Sequence, residues 1–260
     1  MVTCLVWVFT YSERHHDNFS APISAPEEYS GPPRIAIVTF ITSERSFIHT
    51  SLKNKDFYAR RHGYDLIVDY ESQATRGTTW LKFDMVKRLV DAGKHDWIWW
   101  VDFDTLITNT TVRLEDIIYE SLANVTAPEE IDLLLTDDCN GLNDGSFIVR
   151  SSKRSIAFLV GVSALHDTNL LEGKNNLNDQ EAMRDYLALK GPLTKHALMI
   201  PQNKINAFPE EIGCYDAEQK KWEKGMFVIH FAGAWAHVKD KDATGLLMRK
   251  YESEIIWDRK

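Results

Sequence analysis

Cysteine is scarce. Cys4, Cys139 and Cys214 are the only three in 260 residues, and no CxxC spacing joins any of them. A cysteine zinc site and a disulfide-dense framework are therefore not what the chain is built on, and the three say little about the compartment. Positive charge is also short: 30 Lys and Arg stand against 38 Asp and Glu, a net charge of −8 with the basic residues scattered. Tracking a phosphate backbone needs clustered Lys and Arg, so the balance argues against a broad nucleic-acid surface, no nucleic-acid partner is expected, and a phosphate ligand needs local help. No internal repeat is visible. What remains is a composition of 44% hydrophobic and 26% charged residues, which makes a single domain with one substantial core the default.

The opening "MVTCLVWVFTY" (1–11) is apolar over about ten residues, too short to span a bilayer and without a cationic lead or cleavage signal. It reads either as the remnant of a truncated signal anchor or as a packed terminal strand. Residues 12–33 are polar and Pro-rich with no period, a stem or linker. The catalytic body is expected over 34–260. Asn18, Asn109 and Asn124 each open an N-x-[ST] triplet, weak support for a secretory lumen.

Within the body, "RIAIVTFI" (34–41), "YDLIVDY" (64–70) and "WIWWV" (97–101) read as buried strands. The segments between them read as helices: one through Phe47, Leu52, Phe57 and Tyr58 to Gly63, and one through Leu81, Met85 and Leu89 to Gly93. Strands at 131–136, 145–150 and 225–233, helices at 152–166 and 179–190, and an outer helix from Gly245 complete the expectation. Strand-helix alternation predicts an α/β domain, a mostly parallel sheet covered by helices, with ligands beyond the carboxyl ends of the strands.

Asp102 and Asp104 stand at such an end, behind four bulky apolar residues. Two carboxylates where little water screens their repulsion call for a cation between them, although Asp-x-Asp also forms ordinary turns. Oxygen donors suit Mg²⁺ or Mn²⁺, and His230, ending another apolar run, tips the set toward Mn²⁺. Gly233 behind it lets backbone approach a ligand. Metal-dependent phosphoester hydrolysis also uses Asp clusters, but it needs a nucleophile or a second metal site that is not evident here.

"WWVDFDTLITN", "GLNDGSFIVR", "NDQEAM" and "VIHFAGAW", in this order, resemble the fungal galactosyl- and mannosyltransferases and plant xyloglucan xylosyltransferases, one family of retaining GT-A glycosyltransferases. The resemblance runs from about Arg34 through the "HFAG" loop. It implies a GT-A-type, Rossmann-like fold, with Mn²⁺ on Asp102, Asp104 and His230 gripping the diphosphate of UDP-galactose or GDP-mannose. It further implies a glycan acceptor containing mannose or galactose, and partners in a glycosyltransferase complex. The stem and the sequons point to a luminal, membrane-tethered enzyme, of type II in the Golgi lumen. Thr39 and Ser43 are candidates for base and ribose, with helix capping the other reading of Ser43. Asp179 and Gln180 match the pair at the donor sugar, with the glutamine under the anomeric carbon. That arrangement implies retention without a covalent intermediate. Asp179 also reads as a helix cap.

Asn143 and Gly145 match residues that shape the sugar pocket, in a stretch the resemblance places between two strands. Asp144 stands where the family usually has Thr, and reads as a partner for an acceptor hydroxyl or as an Asx turn. Lys82 is a phosphate partner or part of a solvated helix face. Plant members carry a lysine five residues beyond the histidine; here Trp235 stands there, leaving Lys239 as the proposed replacement cation. The alternative from another class is a catalytically weak paralogue serving as a sugar-binding or scaffold subunit.

Overall fold

The computed structural model describes residues 31–70 and 76–258. The apolar opening, the stem up to residue 30, Cys4 and the Asn18 triplet lie outside the described residues. Residues Pro33–Lys260 form one compact unit. Its elements, in chain order, are β1 (Ile35–Ile41), α1 (Ile48–His62), β2 (Asp65–Tyr70), α2 (Leu81–Ala92), β3 (Trp97–Val101), β4 (Thr105–Ile107), α3 (Leu114–Leu122), β5 (Leu133–Asp138), β6 (Gly141–Arg150), α4 (Lys153–Leu171), α5 (Asp179–Ala188), β7 (Ala197–Met199), α6 (Gln202–Ile205), β8 (Val228–His230), α7 (Ala234–His237) and α8 (Ala243–Glu252).

Six strands form the central sheet in the order β2-β1-β3-β6-β5-β7. β1 is parallel to β2 and β3, and β5 to β7, while β6 runs antiparallel to both its neighbours. The sheet is thus α/β and mostly parallel, with one reversed strand near its centre. Side-chain alternation sorts the core by face. Ile35, Ile37, Trp97 and Trp99 pack with Tyr58, Ile117 and Ile118 on one side. Ala36, Val38, Ile98 and Trp100 pack with Phe83, Val86, Phe158 and Met183 on the other. A strand buried on both faces has no polar phase, which is why β3 reads as an unbroken apolar run. Trp99 is fully buried, and Trp99→Ala would cost about 3–5 kcal/mol.

Successive connections from β1 lead to β2 on one side and, through β2 and α2, to β3 on the other. The crevice beyond the ends of β1 and β3 is therefore a topological switch point, the place where open α/β sheets take ligands. The expected strand at 225–233 is shorter than the sequence suggests. Only Val228–His230 is strand, and it pairs with β4 in a separate antiparallel ribbon, Thr105 opposite His230. The ribbon covers a third apolar cluster of Leu106, Phe208, Phe231, Leu247 and Met248. The expected strand at 145–150 is instead longer: residues 141–144 belong to β6, so "LNDG" lies inside a strand rather than between two.

Candidate active site

Asp102 leaves β3 held on three sides. Its N–H donates to the Gly145 carbonyl (2.7 Å), Trp100 Nε1 donates to its carboxylate (2.8 Å), and Thr105 Oγ1 donates to its carbonyl (2.8 Å). Two residues on, Asp104 faces His230, with 3.2 Å between Oδ1 and Nε2. His230 comes from the β4–β8 ribbon, not from an edge of the central sheet. The ligating atoms of Asp102, Asp104 and His230 all lie within 4.8 Å of one another. Two carboxylates and an imidazole at that spacing fit a six-coordinate divalent ion, with Mn²⁺ favoured over Mg²⁺ by the nitrogen. Burial pushes Asp102 up, against the pull of Lys82, while His230 draws Asp104 below the usual range despite burial. Gly145 explains itself here: a Cβ would lie 2.3 Å from His230 Cε1 and 3.1 Å from Asp102 Oδ2 and Asn143 Oδ1. Only bare backbone passes beneath the triad.

His230 is oriented from behind. Its Nδ1 lies 2.7 Å from Asn206 Oδ1, and the Asn206 amide donates to Thr136 Oγ1 and Asn143 Oδ1, each at 2.9 Å. Asn143 in turn donates to Asp138 (2.8 Å) and accepts from Gly145 N–H (3.0 Å). Asn143 therefore acts on the triad through Asn206 and Gly145. Asn206, fully buried, escaped the sequence reading because it lies outside every motif.

A second support rises from α1. Ser51, Asn54 and Lys55 share one helical face, and all three are fully buried. Ser51 Oγ donates to Phe103 O (2.6 Å), and Lys55 Nζ donates to Thr105 O (2.9 Å) and Ser51 Oγ (2.8 Å). Asn54 takes Ile107 N–H on its oxygen (2.7 Å) and gives its amide to Ile107 O (2.9 Å). The backbone of residues 103–107 is thus strapped to a helix. Burial lowers the Lys55 ammonium to about 7, against the attraction of Asp104 and Asp102.

On the other side of the metal loop Lys82 is 3% exposed, so it is not on a solvated face. Its Nζ lies 2.8 Å from both Asp144 Oδ1 and Asp179 Oδ2, and 3.9 Å from Asp102. Burial works against this ammonium, yet Asp102, Asp144 and Asp179 together hold its pKa well above normal. Burial pushes Asp144 well above the carboxylate range despite Lys82. Asp179, also buried, is drawn down against that burial by Lys82 and by the hydrogen bonds from Lys82 and Thr79. Asp144 Oδ2 is buried with no hydrogen-bond partner. Gln180 Oε1 accepts from Asp144 N–H at 3.3 Å. The cap of α5 is Asn178, in a capping box with Glu181, so Asp179 is free of that duty.

Between these groups and the α7–α8 segment lies a cleft of about 380 Å³, walled by Thr42, Ser43, Arg45, Lys82, Asp102, Asp104, Trp235 and Lys241 among others. Ser43 lines it; α1 starts at Ile48 with no side-chain cap, which removes the capping reading. Thr39 is fully buried in β1 and does not line the cleft. Its hydroxyl has no partner. Lys239 is exposed and does not line it either. Arg45 and Lys241 are the exposed cations that do, and sequence proximity to the histidine gave no sign of them. Gly233 starts α7 in the left-handed region (φ 61°) with nothing within 4 Å of an added Cβ. Its role in the chain is conformational, not one of close approach. Cys139, at the β5–β6 turn, is disulfide-bonded to Cys214, a pairing the spacing did not disclose.

Residues 33–241 match the family described as "galactosyl transferase GMA12/MNN10 family". The chain is 27% identical over 267 residues to "Probable alpha-1,2-galactosyltransferase gmh1" of Schizosaccharomyces pombe, covering 88% of this chain and 77% of that protein. It is 29% identical over 190 residues to "Probable alpha-1,6-mannosyltransferase MNN10" of Saccharomyces cerevisiae, covering 61% and 47%. Against three further fission-yeast relatives it spans 56–60% of their length. The fold matches the crystal structure of a glycosyltransferase involved in glycosylation of the major capsid of PBCV-1, with a TM-score of 0.62 at 14% identity over 84% of this chain and 100% of the other.

Proposed function

Because the chain belongs to the galactosyl transferase GMA12/MNN10 family, we propose that it transfers a hexose, galactose or mannose, from a nucleotide diphosphate sugar to a glycan acceptor, forming an α-linkage. The observation that carries this reading is the Asp102, Asp104, His230 triad, whose two aspartates line a cleft at the sheet's switch point. Mn²⁺ on those three residues would neutralise charge developing on the departing diphosphate, which a chain of net charge −8 supplies poorly elsewhere. Arg45 and Lys241 add exposed positive charge along the same cleft and take the place assigned above to Lys239.

The Lys82 cluster supports a sugar site beside the metal loop. One ammonium holds Asp144 and Asp179 in fixed positions next to Asp102, relieving the repulsion of three carboxylates gathered beside the metal loop. Gln180 is tethered by Asp144 N–H. Its amide oxygen is a neutral acceptor that favours a positive, oxocarbenium-like sugar and is too weak to form a covalent intermediate. The departing diphosphate can then take the proton of the incoming hydroxyl on the same face, and configuration is retained.

The disulfide supports placement in an oxidising lumen, with a type II Golgi enzyme as the form proposed. Of the two described sequons, Asn124 is exposed, whereas Asn109 Nδ2 is spent on Gly225 O (2.8 Å). Transfer assays with UDP-galactose, GDP-mannose and UDP-xylose in Mn²⁺, with NMR of the product, test the reaction. An α-glycoside from a hexose donor is expected. A β-glycoside, or no turnover of any donor, overturns it.

A further inference from the structure

We infer that Trp235 is an acceptor subsite, its indole stacking on the apolar face of a pyranose ring of the incoming glycan. The inference rests on the glycosyltransferase reading and adds a residue that neither the metal triad nor the Lys82 cluster includes.

Trp235 is 81% exposed, while Trp80, Trp97, Trp99, Trp100 and Trp222 are all below 9%. A large apolar ring left in water beside a cleft marks a surface that gains by being covered. Its mount is fixed. Gly233 turns the chain left-handed, Ala236 N–H closes on Gly233 O (2.8 Å) and Val238 N–H on Ala234 O (2.9 Å). Ala234, the preceding residue, is fully buried in the cluster with Leu247 and Met248. With Ala234 packed inward, the backbone that carries Trp235 is set before any ligand arrives, which lowers the ordering cost of binding.

Position and exposure together choose the ligand. Trp235 lines the same cleft as Asp102 and Asp104 and follows His230 by five residues, a span of at most ~17 Å. The acceptor must bring a hydroxyl to the anomeric carbon next to the metal, so a neighbouring ring of the acceptor falls within that reach. The same cleft offers more sheltered apolar surface in Phe40, Ile41 and Phe47, each buried or half-buried, which suits a nucleobase. A ring as open as Trp235 suits a ligand that enters from solvent and stays partly solvated. The C–H groups of a pyranose carry slight positive charge and complement the negative face of an indole.

The test compares wild type, Trp235→Ala and Trp235→Phe with Mn²⁺ and the active donor, using mannose- and galactose-terminated oligosaccharides as acceptors. Trp235→Ala should raise the acceptor KM about tenfold or more, a factor of ten being ~1.4 kcal/mol, and Trp235→Phe should recover most of it. Donor hydrolysis without acceptor, and calorimetric affinity for the nucleoside diphosphate with Mn²⁺, should stay at wild-type values in both variants. An unmoved acceptor KM overturns the subsite. So does a parallel loss of nucleotide affinity, which would place the indole on the donor. A wild-type protein that binds no nucleoside diphosphate and turns over no donor sinks the underlying enzyme reading instead, and that result is distinct from either of the others.

Discussion

Asn206 Oδ1 lies 2.7 Å from His230 Nδ1, and because the Asn206 amide nitrogen is already spent on Thr136 and Asn143, its oxygen must accept. Nδ1 therefore carries a proton, and Nε2 is the nitrogen turned toward Asp104. A ligating histidine fixed in this way loses both tautomer and ring orientation when its partner is removed. Asn206→Ala should weaken Mn²⁺ binding about 10- to 100-fold, and Asn206→Asp should weaken it less. Metal titration calorimetry reads both; equal affinity in Asn206→Ala and wild type would refute the role.

Asp104→Asn removes one charge and one ligand with little change of shape. Turnover should fall by orders of magnitude while circular dichroism stays that of the wild type. Full activity of this variant in EDTA would end the metal assignment.

Gly145→Ala and Gly233→Ala separate crowding from conformation. The first drives a methyl to within 2.3 Å of His230 Cε1 and should abolish metal binding. The second meets no atom but must hold φ near 61°, costing roughly 1–2 kcal/mol of stability with metal affinity less affected. Thermal melts paired with metal titrations distinguish them, and the idea fails if both variants lose metal alike.

Lys55 gives a pH signature. Its folded pKa of about 7 lies below the ordinary 10.5, so between those values the unfolded chain binds more protons. Its contribution to the stability of the metal-free protein should therefore rise with pH from about 7 to 10.5. Subtracting the melting curves of Lys55→Met from wild type isolates that slope. A flat difference across the window would contradict it.

Gln180→Ala should slow transfer by ~10- to 1,000-fold, the effect of one lost electrostatic contact, without abolishing it. Asp179→Ala should also raise the donor KM, since hydroxyl contacts present in ground and transition states alike affect binding. Steady-state kinetics with the active donor decides; a complete loss in Gln180→Ala would point to a nucleophile instead.

The strands around the site were legible because double burial leaves an unmistakable mark: β3 is found where "WIWWV" predicts it, and Asp102 and Asp104 follow from it. α1 was legible in extent but only partly in orientation. Of its apolar markers Phe47 and Tyr58 are buried and Leu52 and Phe57 only half-buried, whereas the polar Ser51, Asn54 and Lys55 are also turned inward. A helix that serves a polar loop buries polar groups, and a hydrophobic period cannot announce that. Lys82 misleads for the same reason, since a lysine enclosed by carboxylates looks like any surface lysine until its partners arrive from β6 and α5, 62 and 97 positions away. The β4–β8 ribbon was missed because three-residue strands are too short to show alternation.

Cys139 and Cys214 are 75 positions apart in sequence, and the bond between them encloses β6, α4, α5, β7 and α6. The exposed end of α4, around Leu171 and Gly173, is the sort of loop tip that proteases nick first. A cut there would leave two pieces that still travel as one molecule, so a gel run without reductant would show an intact chain and the same sample with reductant would fall into two bands.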